Sequence, residues 1–303
     1  MKGIVKSRVE KSYSDKIFDV VNLIVMCVLL LIFIWPMWFV LIASFSDPNQ
    51  LWLGNVILWP KGFTLEAYEK LLEYTDIWIG YKNTILYTVV GTLVNLILTV
   101  TLAYPLSRKD FLPRKFIMIM LVITMYFGGG LIPTYLVVKN LGMVNNFWAM
   151  IIPGAISTYN VLVVRTYFLN SIPNELHEAA KLDGANNLQF FGKIALPLAK
   201  PVVAVVGLYY AVGHWNDYYT ALIFLYDKEK FPLTCFLKNL IIDTSTAMRG
   251  SFGSSASEME SMIRLAQSLK YSTIIVAVIP MLIVYPFVQK FFVKGVMIGS
   301  IKG

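Results

Sequence analysis

Charge is what this chain has least of. Asp, Glu, Lys and Arg make up 15% of its 303 residues, against about 25% in soluble domains. The shortage gathers into long charge-free runs, which excludes an ordinary water-soluble globule and points to a membrane protein. There are two cysteines and two histidines. Cys27 lies in an apolar run and Cys235 in a distant polar loop, so there is no disulfide framework and no thiolate ligand set. His177 and His214 fall in different regions, which excludes a histidine-built metal site. No phosphate-binding P-loop, no His-Glu-x-x-His, no Gly-x-Ser-x-Gly and no plausible pair of catalytic carboxylates occurs. The net charge of +8 reads as membrane topology and not as affinity for nucleic acid.

Hydrophobic residues supply 57% of the chain, with a mean hydropathy of +0.65. The charge-free windows are Val20 to Ser46, Asn83 to Ser107, Phe116 to Val138, Asn140 to Val164, Pro201 to Asn216 (continuing past Asp217 to Tyr226) and Tyr271 to Gln289. A helix needs about 20 apolar residues to cross a bilayer, so the windows predict six transmembrane helices in an all-α integral membrane fold. The first window is too long for a signal-peptide core and is read as a retained anchor. Segments 1–19, 108–115, 165–200 and 290–303 hold 5, 4, 4 and 3 basic residues, which places them and both termini on the cytoplasmic side. The domain organisation is then a cytoplasmic N-terminus, 1–19, and a six-helix membrane domain, 20–303. The latter includes a cytoplasmic loop at 165–200 and an extracytoplasmic loop at 227–270. Seven tryptophans sit at or near the expected outer ends of spans, as an interfacial belt would, with Trp215 also a candidate for the pathway. A short helix is expected at Leu65 to Glu73, and a Ser/Gly-rich stretch at 251–257 marks the middle of the 227–270 loop.

The 165–200 loop is the most informative segment. Pro173 suits a helix start, and Glu175 and Glu178 in the first turns complement the dipole. Leu176, Ala179 and Ala180 fall on one small face, and Gly184 after Asp183 can take the left-handed cap. A second helix is expected from Asn186 to Ala195 with Leu188, Phe191 and Ile194 on one side, before Pro197 and Pro201 lead into the fifth span. An elbow of two short helices joined stiffly to a span can transmit a push; an amphipathic segment lying at the interface would show the same spacing.

The stretch Ile172-Pro-Asn-Glu-Leu-His-Glu-Ala-Ala-Lys-Leu-Asp-Gly-Ala-Asn186, closing in Leu196-Pro-Leu-Ala-Lys-Pro201, resembles the EAA loop of ABC-importer permeases of the MalG type. Asp183-Gly184-Ala185 is typical of the carbohydrate importers among them. Gly128-Gly-Gly-Leu-Ile-Pro-Thr-Tyr135, Leu141-Gly142, Ile152-Pro153, Asn160, Arg165-Thr-Tyr-Phe168 and Ala211-Val-Gly-His-Trp-Asn-Asp217 are similar to the LplC/YtcP subgroup. The 227–270 loop is longer than in plain MalG-type subunits.

The resemblance implies a type I importer permease that is not itself an enzyme. Glu175, Glu178, Ala179, Ala180, Asp183 and Gly184 would meet a cytoplasmic ATPase dimer, which carries the ATP and Mg. A second homologous permease, an extracytoplasmic solute-binding protein, a carbohydrate and membrane lipid complete the expected partners. The tail from Gly295 would reach toward the ATPases.

Spans 1 to 4 and 6 contain no charged group, which argues against proton relays and voltage sensing and fits a neutral, hydroxyl-rich cargo held by aromatic faces and amides. The candidates for contact are Tyr159, Asn160, Trp215, Asn216 and Asp217, with helix–helix polar contacts as the alternative. Asp217 is expected at the outer mouth, and Gly128 to Gly130 near a close packing or bend. An importer for a non-sugar solute, an integral-membrane enzyme and a channel are the rival readings.

Overall fold

A computed structural model of the chain describes residues 12–240, 264, 268–286 and 289. The Ser/Gly-rich stretch 251–257, most of the 227–270 loop beyond residue 240, and the tail from residue 295 lie outside the described residues. Among the described residues all regular structure is helical, as the composition predicts. The chain divides into two compact units, residues 1–70 with 244–275, and residues 71–243 with 276–303.

In the first unit, α1 (Tyr13–Ser44) is a 32-residue helix, with the backbone N–H of Ser12 bonded to Asp15 ahead of it. Its apolar side chains face outward over most of its length, as those of a lipid-facing helix do. α2 (Pro48–Trp52) is capped by Asp47, whose side chain accepts from the N–H groups of Asn49 and Gln50, and α3 (Glu66–Glu73) matches the expected short helix. Trp38 donates to the Leu58 carbonyl at 3.0 Å and meets Trp59 edge-on. The Tyr68 hydroxyl donates to Ser44 Oγ at 2.8 Å.

The second unit is organised round α4 (Thr75–Ser107), a 33-residue helix that packs against α7 (Thr158–Ser171) and α11 (Lys200–Trp215). Near its start α4 is bonded to the segment after the fifth window. Asn83 donates to the carbonyls of Glu229 and Phe231, and Thr84 Oγ1 accepts from Leu233 N–H at 2.8 Å. α5 (Arg114–Tyr126) and α6 (Leu131–Asn140) are set at 118° to each other. α8 (Asn174–Leu182), α9 (Asn187–Phe190) and α10 (Leu196–Leu198) follow α7. α12 (Tyr219–Phe224) follows α11, and α13 spans Ser268–Pro286.

Three single helices, α1, α4 and α13, are long and apolar enough to cross a membrane; the number rises to five if each of two bent pairs is one span. Six crossing helices were expected; the third and fifth windows fall in the two bent pairs, and the fourth holds no single helix of spanning length. Phe116 to Val138 is broken at Phe127–Gly130, where Gly130 takes φ +84°, a conformation with ψ near 180° that essentially only glycine adopts. Asn140 to Val164 is not one helix either. It holds a turn with Asn145 at φ +59°, a 3-10 turn at Phe147–Met150, and only the first part of α7. That helix runs on through Arg165, where the charge-free window stops, because the guanidinium donates to the Leu106 carbonyl of α4 at 2.9 Å.

Candidate functional site

The loop 165–200 folds as an elbow. α8 starts directly after Pro173, which has φ −60° and ψ 146°, so the proline precedes the helix instead of standing inside it. Its end is a Schellman closure: Gly184 N–H bonds to the Lys181 carbonyl at 3.1 Å and Ala185 N–H to the Ala180 carbonyl at 2.9 Å. Gly184 has φ +78°, the left-handed cap the spacing predicts. The turn then closes on Asn186, whose side chain accepts from Gln189 N–H while Gln189 Oε1 accepts from Asn186 N–H, a reciprocal cap that starts α9.

The second arm changes register. After α9 the residues Phe191–Ala195 form a π turn, which inserts one residue per turn relative to an α-helix. Phe190 and Ala195 become the buried pair, 1% and 0% exposed, while Leu188 is 81% exposed. The expected face of Leu188, Phe191 and Ile194 is thus split. Phe191 and Ile194 stay half-buried against the core, and Leu188 turns away because the π turn rotates the two halves of the arm relative to each other. The arm ends in a 76° bend at Ala199 into α11.

The inner face of the elbow is anchored in an apolar cluster that includes Ala180, Phe190, Phe168 and Leu106. Tyr104 of α4 meets Phe168 at 5.6 Å and Phe191 at 4.8 Å between ring centroids, and His177 meets Phe190 at 4.9 Å. The expected small face of α8 is divided as well. Ala180 points inward, whereas Glu175, Leu176, Glu178, Ala179, Asp183 and Gly184 are exposed. Leu182 is 89% exposed beside them.

Next to the elbow, a groove of about 370 Å³ is lined by Tyr104, Arg108, Asp110, Phe111, Leu188 and Phe191, among others. Partial burial pushes the Asp110 carboxyl upward. A backbone hydrogen bond, the Arg108 guanidinium (Nε to Oδ1 3.2 Å) and His177 outweigh that and hold it below the usual carboxylate range.

At the other end of α7 and α11, where α5 bends, a cavity of about 680 Å³ opens among α4, α7, α11 and α12. Of the residues expected to meet cargo, Asn160 and Asp217 line it. Asn160 is buried, and Asp217 Oδ1 accepts from Thr220 N–H at 3.0 Å. Gly128 to Gly130 also line it. Tyr159, Trp215 and Asn216 are not among its lining residues. Trp215 is buried, and its indole N–H donates to the Ala277 carbonyl at 3.1 Å, so it braces α11 against α13. Asn216 is exposed and donates back to Val212 at 2.9 Å, and Tyr159 is exposed.

Asn95, Tyr210 and His214 also line the cavity, and none of them stands out as a cargo contact in the sequence. Among the described lining residues there is no Lys or Arg. The signal that marks this set is a polar row along α4, Thr84, Thr88, Thr92, Asn95 and Thr99, at spacings of three and four that keep one helix face.

Among the described residues the chain is helical, with helices long and apolar enough to cross a membrane and an elbow rooted in the core. The chain belongs to the family described as binding-protein-dependent transport system inner membrane component, whose model matches residues 77–298. Members of this family are transporter permeases and not themselves enzymes. Protein LplC of Bacillus subtilis is 39% identical over 96% of each chain. The polygalacturonan/rhamnogalacturonan transport system permease protein YtcP of the same organism is 39% identical over 95% of this chain and 99% of its own. A chain of a bacterial ABC transporter involved in the import of the acidic polysaccharide alginate superposes with a TM-score of 0.83 at 33% identity, covering 93% of this chain and 99% of that one.

Proposed function

We propose that this chain is one permease subunit of an ATP-driven importer that moves an oligosaccharide across the bacterial cytoplasmic membrane by alternating access. The observation that carries the coupling part is the two-faced elbow. Ala180 and Phe190 root it in the core of the second unit, while Glu178, Ala179, Leu182 and Gly184 stand in the open on a helix closed at its C-terminal end by a Schellman cap. Exposed leucines on a turn that charge counting places in a cytoplasmic loop support a surface that meets another protein. The cytoplasmic ATPase dimer, with ATP and Mg, is its partner in this reading. Closure of the dimer would turn the elbow and the bundle rooted to it as a rigid body. A second homologous permease and an extracytoplasmic solute-binding protein complete the system.

The oligosaccharide assignment is supported by relatives named for polygalacturonan, rhamnogalacturonan and alginate transport, and by one named for melibiose, raffinose and stachyose import at 27% identity. α5 and α7 serve as the third and fourth crossings, with α6 and the turn at 147–150 between them on the outer side. That gives six crossings with both termini cytoplasmic. The test is uptake of labelled trigalacturonate and raffinose by cells carrying the chain with its neighbouring transport genes. ATP-dependent entry of either that is lost in Glu178→Ala/Gly184→Pro, with the chain still membrane-inserted, supports the reading. Entry unaffected by that variant overturns the coupling role, and entry of neither overturns the substrate class.

A further inference from the structure

We propose that the carboxamide of Asn95 and the imidazole of His214 form a subsite that reads a hydroxyl group of the passing saccharide. Specificity would then be set partly by this chain and not only by the solute-binding protein. The inference rests on the oligosaccharide reading above.

Asn95 is 1% exposed and stands at the midpoint of the charge-free window 83–107, the level where backbone and side-chain polar groups have no water to bond. Its Nδ2 lies 3.1 Å from His214 Nε2, and its Oδ1 accepts no hydrogen bond among the described residues. Turning the amide over changes which end is spare and leaves one spare in either case. A buried carboxamide that is half-satisfied at mid-span is costly, so such a group is retained where something bonds it intermittently.

The neighbouring polar pair shows the contrast. Tyr210 OH bonds Thr99 Oγ1 at 2.6 Å and accepts from Ser157 N–H at 3.1 Å. It is fully occupied and acts as helix–helix glue.

The placement of His214 is built into α4. A Cβ on Gly91 would collide with His214 Nε2 and lie 2.7 Å from Cε1. The absence of a side chain at residue 91 is what seats the ring beside Asn95. With Nε2 accepting from the amide, the proton of a neutral imidazole sits on Nδ1, a donor. The pair therefore holds one spare acceptor, closed off from solvent in this state, and one donor, together the complement of a hydroxyl, which both donates and accepts. Both residues line the 680 Å³ cavity together with the rings of Tyr209 and Tyr219, and aromatic faces are what sugars stack on.

The test uses the whole importer in native membranes, with labelled raffinose and trigalacturonate as probes. Asn95→Leu keeps the branched shape and removes the amide. It should raise the apparent KM of the transported probe by about 3- to 10-fold, the size of one neutral hydrogen bond, with Vmax and the membrane level of the chain unchanged. His214→Gln should shift KM in the same direction, which keeps the test decisive if Asn95→Leu fails to insert. Thr99→Val removes a satisfied contact and should lower thermal stability without moving KM. Normal insertion of Asn95→Leu or His214→Gln with a wild-type KM overturns the subsite and leaves the importer reading intact. Failure of the unmodified importer to take up either probe overturns both.

Discussion

Ala179 and Ala180 are neighbours in sequence with opposite surroundings, and substituting each by leucine separates docking from folding. Ala180 is 7% exposed in the cluster around Phe168 and Phe190, and its carbonyl receives the Ala185 N–H that closes the helix. Three extra carbons have no space there, and overpacking a filled core costs about 1 to 3 kcal/mol. Ala179 is exposed, and a surface substitution changes stability by no more than about 0.5 kcal/mol. If the outer face of α8 lies in a cleft of the ATPase, the same leucine at residue 179 overpacks that interface instead. The same 1 to 3 kcal/mol then weakens ATPase binding by about 5- to 150-fold. Two measurements on purified, lipid-reconstituted chain decide it: thermal unfolding, and titration of the ATPase followed by its retention. Ala180→Leu should lower the unfolding temperature. Ala179→Leu should leave that temperature alone and release the ATPase. Full ATPase retention and full uptake by Ala179→Leu would refute the docking assignment.

The cap makes a second contrast: nothing lies within 4 Å of a Cβ built on Gly184, although its φ is +78°. Gly184→Ala therefore costs only the left-handed strain of about 1 to 2 kcal/mol, whereas Gly184→Pro requires φ near −65° and removes the N–H bonded to Lys181. Uptake should fall modestly in the first and vanish in the second, with both chains detected in the membrane. Gly91→Ala forces the His214 ring away from Asn95 and should cost about 1 to 3 kcal/mol. Adding His214→Ala should restore thermal stability but not uptake, and no recovery would show that the clash lies elsewhere.

Asp227 titrates a tie between two loops. Hydrogen bonds from Lys230 first and Asn145 second hold its carboxyl below the usual range. A depressed carboxylate contributes stability above its unfolded value of about 3.9, and that contribution is lost as pH falls through the lower folded value. Trp148 fluorescence should stay flat from neutral pH down to the ordinary carboxylate range and change below it. Asp227→Asn should abolish that acid limb.

The elbow was the most legible part of this chain because its signals are local. A proline, acidic residues and a glycine act within one or two turns: Glu175 stands in the first turn and Gly184 takes the left-handed cap as predicted, while Pro173 falls one residue outside the first turn expected of it. The second arm was less legible because its period changes. The π turn at Phe191–Ala195 breaks the 3.6-residue rule by which Leu188 was placed on one side with Phe191 and Ile194. The third and fourth windows hid their breaks for a different reason. Absence of charge marks where a helix can cross, not where it stays straight, and neither the glycine bend at 127–130 nor the turn at Asn145 carries a charge to interrupt the window.

The same blindness hid the polar row on α4. Counting ionisable groups treats Thr88, Thr92 and Asn95 as equivalent to leucine, yet in a helix packed against α7 and α11 their hydroxyls and amide are the groups whose bonding must be accounted for. Thr84 and Thr99 have protein partners; Thr88 Oγ1, Thr92 Oγ1 and Asn95 Oδ1 have none among the described residues. A threonine can return its hydroxyl to the carbonyl four residues back by rotating one torsion, as Thr101 does with Ile97 at 2.6 Å. A carboxamide held at one end by His214 has no such recourse, because rotation would break the bond it already makes. Of the three groups left unpaired on that face, only Asn95 therefore needs a partner from outside the fold, and it is the one that borders the cavity. The polar residues that set specificity in a charge-free span are accordingly those with geometry too constrained to satisfy themselves, a criterion that requires the packed structure and cannot be applied to the string of letters.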